Sequence, residues 1–248
     1  MSARPHWWRD PLPWTAAAFV ALVFGMPALR PLFTAAFPSL ERPYYEGAGF
    51  PSLVAAHLVL VLASSAAAVL VGVPAGIFAT RRAGAEFRPM IETVVAAGQT
   101  FPPVAVLALA VPAIGFGVKP ALIALALYGL LPIVQNTIAG LQQVPPASVE
   151  AGRGLGMTQG QLLRRVELPL AAPLIVSGIR TSVVINIGTA AIASTVGVRT
   201  LGVPIVLGLI GANLAYVLQG SALVALMAVV LDLGFERATA ALQRWREA

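Results

Sequence analysis

Cysteine is absent from this sequence of 248 residues, and histidine occurs only twice. Without cysteine, the chain can form no disulfide framework, no thiol nucleophile and no thiolate metal site, and its redox compartment stays open. His6 and His57 lie 51 positions apart, with no carboxylates at the spacing of metal ligands. We therefore expect no metal site.

Charged residues are also scarce. They make up 10% of the chain, hydrophobic residues make up 58%, and the mean hydropathy is +0.85. A soluble domain usually has about a quarter of its residues charged. This composition predicts an integral membrane protein.

Lysine occurs once, as Lys119 in the tripeptide VKP. A phosphate-binding loop of the G-x-x-x-x-G-K-[ST] type needs a lysine at its end, so the chain has no such loop for ATP. A secondary transporter usually keeps ionisable residues deep in the membrane, whereas Glu92 and Asp232 fall near the ends of apolar runs. If the chain takes part in transport, the energy must therefore come from elsewhere.

What the sequence does contain is a series of apolar runs, which predict six membrane spans. They cover residues 14–29, 53–79, 89–115, 121–141, 171–196 and 214–235. The first run is either a signal peptide or a retained span, and its basic and aromatic flank (Arg4, Trp7, Trp8 and Arg9) favours a retained span. We predict an external loop at 30–51 and a short re-entrant or interfacial piece at 201–213. The resulting parts are 1–51, a core at 52–236, and a tail at 237–248.

Two spans carry features that predict their packing. The run of 27 residues at 53–79 would extend about 40 Å against a bilayer core of about 30 Å, so it should tilt, or kink at Pro74. Gly72-x-x-x-Gly76 gives it a small-residue face for another helix. In the third span, Pro102 and Pro103 break the helix, which indicates either a lining of a translocation path or a kinked packing helix.

Several polar or helix-breaking residues fall near mid-membrane, and we predict that they converge on a path. They are Gln99, Thr100, Phe101, Pro102, Pro103, Tyr128, Asn136, Asn186 and Thr189. The alternative is that the polar groups only join helices. Arg180 lies within the fifth span, where an unpaired arginine is costly, so we predict a partner, either Glu92 or Asp232. The alternative for Arg180 is snorkelling to the membrane surface.

A polar loop at 145–170 separates the fourth and fifth spans. Thr158 and Gln161 have the spacing of a capping box, and Leu162, Val166 and Leu170 then share one helix face. We predict that Ser148 caps a first turn carrying Glu150 and Ala151, that the chain bends near Gly156, and that the second helix ends or kinks at Pro169. The pattern indicates a docking element.

Glu150-Ala151, Gly156 and Val166-x-Leu168-Pro169 resemble the EAA loop of the membrane subunits of ATP-binding-cassette (ABC) importers. GMT at 156–158, VELPLA at 166–171 and GIRTS at 178–182 are similar to the branch that imports glycine betaine, carnitine and choline. Two departures stand out. Gly152 replaces the second alanine of the loop pattern, and Val198-Arg199-Thr200 stands where that branch has a glycine-rich segment.

The resemblance implies an all-α permease of the type I importer fold, which transports a small osmolyte and is not an enzyme. It implies ATPase subunits that hold ATP and Mg²⁺, a second permease chain (the same or a related one) and an extracytoplasmic substrate-binding protein, with no cofactor in this chain. It assigns Glu150, Ala151, Gly156, Val166, Leu168 and Pro169 to ATPase coupling, and we add Leu162, which shares the apolar helix face with Val166. One or two aromatic rings, such as Phe101 and Tyr128, would suit a quaternary amine. The alternatives are a permease for another small solute, such as an amino acid, and a scaffold or channel without ATP coupling.

The distribution of basic residues predicts the orientation in a bacterial cytoplasmic membrane. With six spans and the amino terminus inside, eleven arginines lie inside and four basic residues lie outside. The inside set is Arg4, Arg9, Arg81, Arg82, Arg88, Arg153, Arg164, Arg165, Arg237, Arg244 and Arg246; the outside set is Arg30, Arg42, Lys119 and Arg199. Both termini and the polar loop are therefore predicted to be cytoplasmic. This topology explains the net charge of +6 without a nucleic-acid partner.

Overall fold

A computed structural model of the chain describes residues 10–247, with side chains for residues 10–241. Within that range the chain is helical and contains no strand. The α-helices are α1 (Pro11–Gly25), α2 (Arg30–Ala36), α3 (Phe50–Ala79), α4 (Arg88–Thr100), α5 (Pro103–Ile114), α6 (Val118–Gln142), α7 (Pro146–Gly154), α8 (Gln159–Leu162), α9 (Leu168–Thr189), α10 (Gly202–Ile210) and α11 (Leu214–Glu247).

The number of apolar helices agrees with the six predicted spans. Five helical stretches are long and apolar enough to cross a membrane, and α4 with α5, bent by 91°, makes a sixth if the pair is counted as one span. The break falls at Phe101 and Pro102, so the predicted interruption of the third span by its proline pair is confirmed. The short piece predicted at 201–213 is the helix α10.

One predicted boundary is wrong, and one helix is longer than the span predicted for it. The first helical stretch continues past Arg30 to Ala36 through a 3-10 turn at Met26–Leu29, so the loop predicted at 30–51 starts at Phe37. Pro27 and Pro31 each fall in the first turn of a helical piece, where a missing N–H costs nothing. At the other end, α11 continues beyond 235 to Glu247, because good helix formers follow Gly234 and no proline interrupts them. Arg4, Trp7, Trp8 and Arg9, and the side chains of Arg244 and Arg246, lie outside the described residues.

The centre of the molecule is formed by α3, α6 and α9, which approach one another through small residues. A Cβ added at Gly72 would lie 2.9 Å from Ile133 Cγ2, and one added at Gly76 would lie 2.7 Å from Thr137 Cβ. The predicted small-residue face of α3 is therefore a contact with α6. Gly178 on α9 similarly faces α6, since its Cβ would lie 2.6 Å from the Pro132 carbonyl oxygen. Larger side chains here would push the helices apart.

The first and last helices pack together at the edge of this bundle. Arg237 on α11 forms an ion pair with Asp10, which also caps α1 by accepting a hydrogen bond from the Leu12 N–H. The hydrogen bond from Arg237 is the main reason that the pKa of the Asp10 carboxyl lies below its usual range. This contact ties the start of α1 to α11.

The loop at 37–49 is held against α11 by a buried amide. Gln219 is fully buried; its Oε1 accepts from the Tyr45 N–H at 3.0 Å, and its Nε2 donates to the Pro43 carbonyl at 2.8 Å. Tyr45 also packs edge-on against Tyr216, with ring centroids 5.6 Å apart. Sequence analysis did not single out Gln219, because a lone glutamine in an apolar run gives no sign of its distant partner.

Candidate functional site

The 145–170 loop begins with α7, which starts one turn earlier than the sequence predicted. Pro145 is extended, Pro146 opens the helix, and the Ser148 N–H donates to the Pro145 carbonyl at 3.0 Å. Among the described residues no side chain caps this helix, so the predicted cap by Ser148 is wrong. The fixed φ of a proline already suits the first helical position, which makes a serine cap unnecessary.

Gly156 forms the predicted bend. Its φ is +76°, and it follows α7 in a hydrogen-bond pattern that closes a helix end: the Gly156 N–H donates to the Arg153 carbonyl at 2.9 Å, and the Met157 N–H donates to the Gly152 carbonyl at 3.1 Å. This is the Schellman arrangement, in which the residue with positive φ is usually glycine. The bend is therefore a defined turn with its own hydrogen bonds.

The capping box that follows is also confirmed. The Gln161 N–H donates to Thr158 Oγ1 at 3.3 Å, and the Thr158 N–H donates to Gln161 Oε1 at 2.9 Å. Each side chain thus satisfies an amide that the helix start would leave open. Together with the bend, it sets the direction in which α8 leaves the turn.

The helix that starts at Gln159 continues past Pro169 as one helical stretch, and it does not end at that proline. A π-helical segment at Leu163–Glu167 joins α8 to α9, and Pro169 lies in the first turn of α9. Because a proline provides no N–H, the hydrogen-bond ladder must change locally, and the π turn lies directly before it. The 145–170 loop is therefore continuous with the fifth span.

Contacts inside the 145–170 loop separate its predicted coupling residues into two groups. Leu162 is 1% exposed, and a Cβ at Gly152 would lie 2.7 Å from Leu162 Cδ1 and 3.6 Å from Val166 Cγ2. The apolar face that we predicted for a partner thus packs, at Leu162, on α7. By contrast, Glu150, Ala151 and Gly156 are exposed, and Leu168 and Pro169 are half-buried at the start of α9.

Two features of this loop were missed by sequence analysis. Leu155, beside the bend, is 78% exposed, which is unusual for a leucine and makes it the loop's most prominent apolar side chain. Glu167, in the π segment, is buried and forms an ion pair with Arg81 at 2.6 Å, which links the loop to the chain just beyond α3. The pairing joins residues 86 positions apart and has no local sequence signal.

The residues predicted to form a path lie in separate places in this chain. Gln99 Nε2 donates to the Tyr128 carbonyl at 3.5 Å, which brings the break between α4 and α5 close to α6. Thr100, Phe101 and Pro102 are exposed at the break. Pro103 and Thr189 line one small apolar cleft between α5, α6 and α9.

The two asparagines make contacts within the helix bundle. Asn186 is fully buried and donates from Nδ2 to Ser65 Oγ at 3.2 Å, between α9 and α3. Asn136 donates to the Pro132 carbonyl of its own helix at 2.8 Å and packs on Gly178. The described residues therefore do not show all nine converging on one point.

Arg180 has the ion-pair partner that was predicted for it. Its Nε and Nη2 donate to the two carboxylate oxygens of Asp232 at 2.5 and 2.6 Å, and Glu236 lies 3.7 Å away. The pair joins α9 to α11. Glu92, the other candidate, accepts instead from Arg88 at 2.9 Å, one turn away on α4.

Comparison with known proteins places this arrangement among transport proteins. Residues 72–247 match the family described as binding-protein-dependent transport system inner membrane component. Over 176 residues the chain is 46% identical to the osmoprotectant import permease protein OsmY of Salmonella typhimurium, covering 71% of this chain and 75% of that one. It is 41% identical over 177 residues to the choline transport system permease protein OpuBB of Bacillus subtilis, covering 71% and 80%.

Solved structures show the same fold at lower identity. A chain of the MetNI methionine ABC transporter in an inward-facing conformation superposes with a TM-score of 0.69 at 23% identity, over 77% of this chain and 94% of that one. A chain of an amino acid ABC transporter solved with histidines superposes with a TM-score of 0.60 at 21% identity, over 78% and 92%. The predicted all-α permease fold is confirmed.

Proposed function

The chain belongs to the family of binding-protein-dependent transport system inner membrane components, and from this we propose that it carries a small osmolyte across the cytoplasmic membrane. It is a multi-pass membrane protein and the permease subunit of an ABC importer. It is not an enzyme, since ATP hydrolysis belongs to a separate subunit, and a substrate-binding protein is a further partner. ATP and Mg²⁺ would both be held by that ATPase subunit.

The substrate class we propose is a quaternary amine, such as glycine betaine, choline or carnitine. The observation that carries this proposal is the 46% identity to an osmoprotectant import permease over most of the chain. Relatives named for choline, carnitine and glycine betaine transport are 38–43% identical.

For coupling, we propose that the exposed surface of α7 and the bend meets the ATPase. Glu150, Ala151 and Leu155 lie on this surface, and Gly156 provides the turn that presents them. Leu162 and Val166 brace α7 from behind, and Leu168 and Pro169 connect the loop rigidly to α9. A push on α7 would then move the fifth span with it.

For the path, we propose that the break between α4 and α5 faces a second permease chain, either identical or related. Phe101 is 55% exposed, and Gln99 and Tyr128 lie beside it. Exposed polar backbone at a helix break is tolerated at membrane depth only against protein or water. In an assembled pair, these residues with Thr100, Pro102, Pro103 and Thr189 would line the route, with both termini on the cytoplasmic side.

The proposal is tested by uptake into vesicles that contain the permease, its ATPase and its receptor. Labelled glycine betaine and choline should accumulate only with ATP inside and receptor outside, while an amino acid should not. If only the amino acid accumulates, the proposed substrate class is wrong and the chain is an amino acid permease. Flux without ATP would contradict the importer itself.

A further inference from the structure

A large basic cavity lies beside the 145–170 loop and has no role in the transport cycle proposed above. Its volume is about 870 Å³, and it lies between the end of α3, the segment 79–88 and the 145–170 loop. Arg81, Arg82, Arg88 and Arg153 line it, with Glu167 as the one carboxylate among the lining residues, which leaves three positive charges in excess.

Two of these four arginines form ion pairs and two do not. Arg81 binds Glu167 and Arg88 binds Glu92. Within the part of the chain whose side chains are described, Arg82 and Arg153 have no ion-pair partner. The cavity thus presents two guanidinium groups without an ion-pair partner, which come from two different segments of the chain.

The cavity lies at the level where the apolar helices end. Its lining includes Ala79, the last residue of α3, and Gln142, the last residue of α6. Phe78 and Phe87 directly precede two lining residues, are 44% and 47% exposed, and have ring centroids 6.2 Å apart. Exposed aromatic rings at helix ends are typical of the membrane interface.

From this juxtaposition we propose that the cavity binds the phosphate headgroup of an anionic phospholipid. A guanidinium matches a phosphate with two parallel hydrogen bonds, and basic pockets between spans at the membrane surface suit such headgroups. On α4, just beyond Arg88, Met90 and Val94 are 58% and 64% exposed, which provides an apolar surface for the acyl chains. A free phosphate would make no use of that surface. The bound headgroup would bridge the segment 79–88 and α7.

Lipid binding to the purified transporter complex tests the proposal independently of transport. Phosphatidylglycerol and the zwitterionic phosphatidylcholine would be titrated separately, and the bound lipid counted by native mass spectrometry. We expect a preference for phosphatidylglycerol that falls on the order of five-fold for each arginine lost, or about 25-fold in the double variant Arg82→Gln/Arg153→Gln. The double variant Arg82→Lys/Arg153→Lys should keep most of the preference, since it keeps the charge.

Arg199→Gln is the matched control, because it removes an exposed arginine that lies beyond the far end of α9, after the 3-10 turn at Ala190–Val196. It should leave the preference unchanged. An equal loss in Arg199→Gln would mean that net charge alone attracts the lipid, and would overturn the site. Equally tight binding of glycerol phosphate would overturn the lipid assignment. If the double glutamine variant keeps its lipid preference but loses the ATPase subunit, the cavity is a docking surface for that subunit and the proposal is wrong.

Discussion

Single residues account for much of the shape of the 145–170 loop, and Gly152 is the clearest case. The family pattern has an alanine here, and the sequence alone gave no reason for the change. In the structure, an added Cβ would lie 2.7 Å from Leu162 Cδ1. The loss of one methyl group on α7 is therefore matched by the leucine that packs in its place, and the departure preserves a tight contact between α7 and α8.

The bend at Gly156 gives a test at the same scale. Gly156→Val should strain the turn by on the order of 1–2 kcal/mol or more, because an L-residue with a branched side chain does not tolerate the left-handed region. We expect the variant to reach the membrane and assemble, with ATP hydrolysis no longer coupled to uptake. Both rates are measured on the same vesicles.

Gly160→Val is the control for this change. Gly160 is four residues away in α8, outside the surface proposed to meet the ATPase, has no positive φ, and has nothing within 4 Å of an added Cβ. It should couple nearly as the parent does. Normal coupling in Gly156→Val would show that the bend has no part in transmission.

At the scale of elements, the ion pair between Arg180 and Asp232 fixes α9 against α11. Its two parallel hydrogen bonds need the planar fork of arginine, so Arg180→Lys should weaken the contact although the charge is kept. The side chains are 29% and 36% exposed, so we expect a loss of about 1–2 kcal/mol, between the values for surface and buried pairs. The midpoint of unfolding in a denaturant titration measures it.

Arg88→Lys serves as the comparison for this variant. Arg88 makes one hydrogen bond to Glu92 within the same helix, and such pairs contribute about 0.3–0.5 kcal/mol. The change at Arg88 should therefore be barely measurable. Equal effects at both positions would mean that the pairing between helices adds nothing.

Single cysteines test which polar residues belong to the path, and the absence of native cysteine provides a clean background. Cysteine at Phe101 should react with a water-soluble thiol reagent at a rate that changes with ATP and receptor, because the helix break is exposed. Cysteine at Asn186 should stay unreactive, because that side chain is buried between α9 and α3. A reactive Asn186 with an inert Phe101 would reverse our assignment of the path.

At the scale of the whole molecule, Gln219 connects the loop at 37–49 to the last long helix across 174 residues of sequence. Gln219→Leu would leave the Tyr45 N–H and the Pro43 carbonyl without hydrogen-bond partners. Each unsatisfied buried polar group lowers the free energy of unfolding by about 1–3 kcal/mol. We expect faster amide hydrogen exchange across the loop.

Ser221→Ala is the matched control, because in the described part of the chain the Ser221 hydroxyl donates only within its own helix, to the Val217 and Leu218 carbonyls. It should leave exchange in the loop unchanged. Unaltered exchange in Gln219→Leu would show that aromatic packing of Tyr45 holds the loop without the amide.

The sequence by itself determined the features that depend on neighbouring residues. Apolar runs predict spans because only a long stretch of apolar side chains is stable in the hydrocarbon core of a bilayer. Gly156 and the capping box at 158–161 predict the turn between α7 and α8 because both act on backbone groups within a few residues. Pro102 and Pro103 predict a break for the same reason. Two predictions failed near prolines: the loop predicted to start at residue 30, and the helix cap predicted at Ser148. A proline interrupts a helix when it lies inside it but is favourable in the first turn of the next helix, and the sequence alone does not show which of the two applies.

Only the tertiary structure decided which distant groups meet. The sequence predicts a partner for Arg180, because an unpaired arginine within a membrane span is energetically costly. That the partner is Asp232 and not Glu92 depends on the packing of α9 against α11. In the same way, only the structure shows that Gln219 binds Tyr45, that Arg81 pairs with Glu167, and that Leu162 packs on α7. Such contacts follow from how the helices approach and cross, which is set by close packing of small residues along whole faces and leaves no mark at either partner in the sequence.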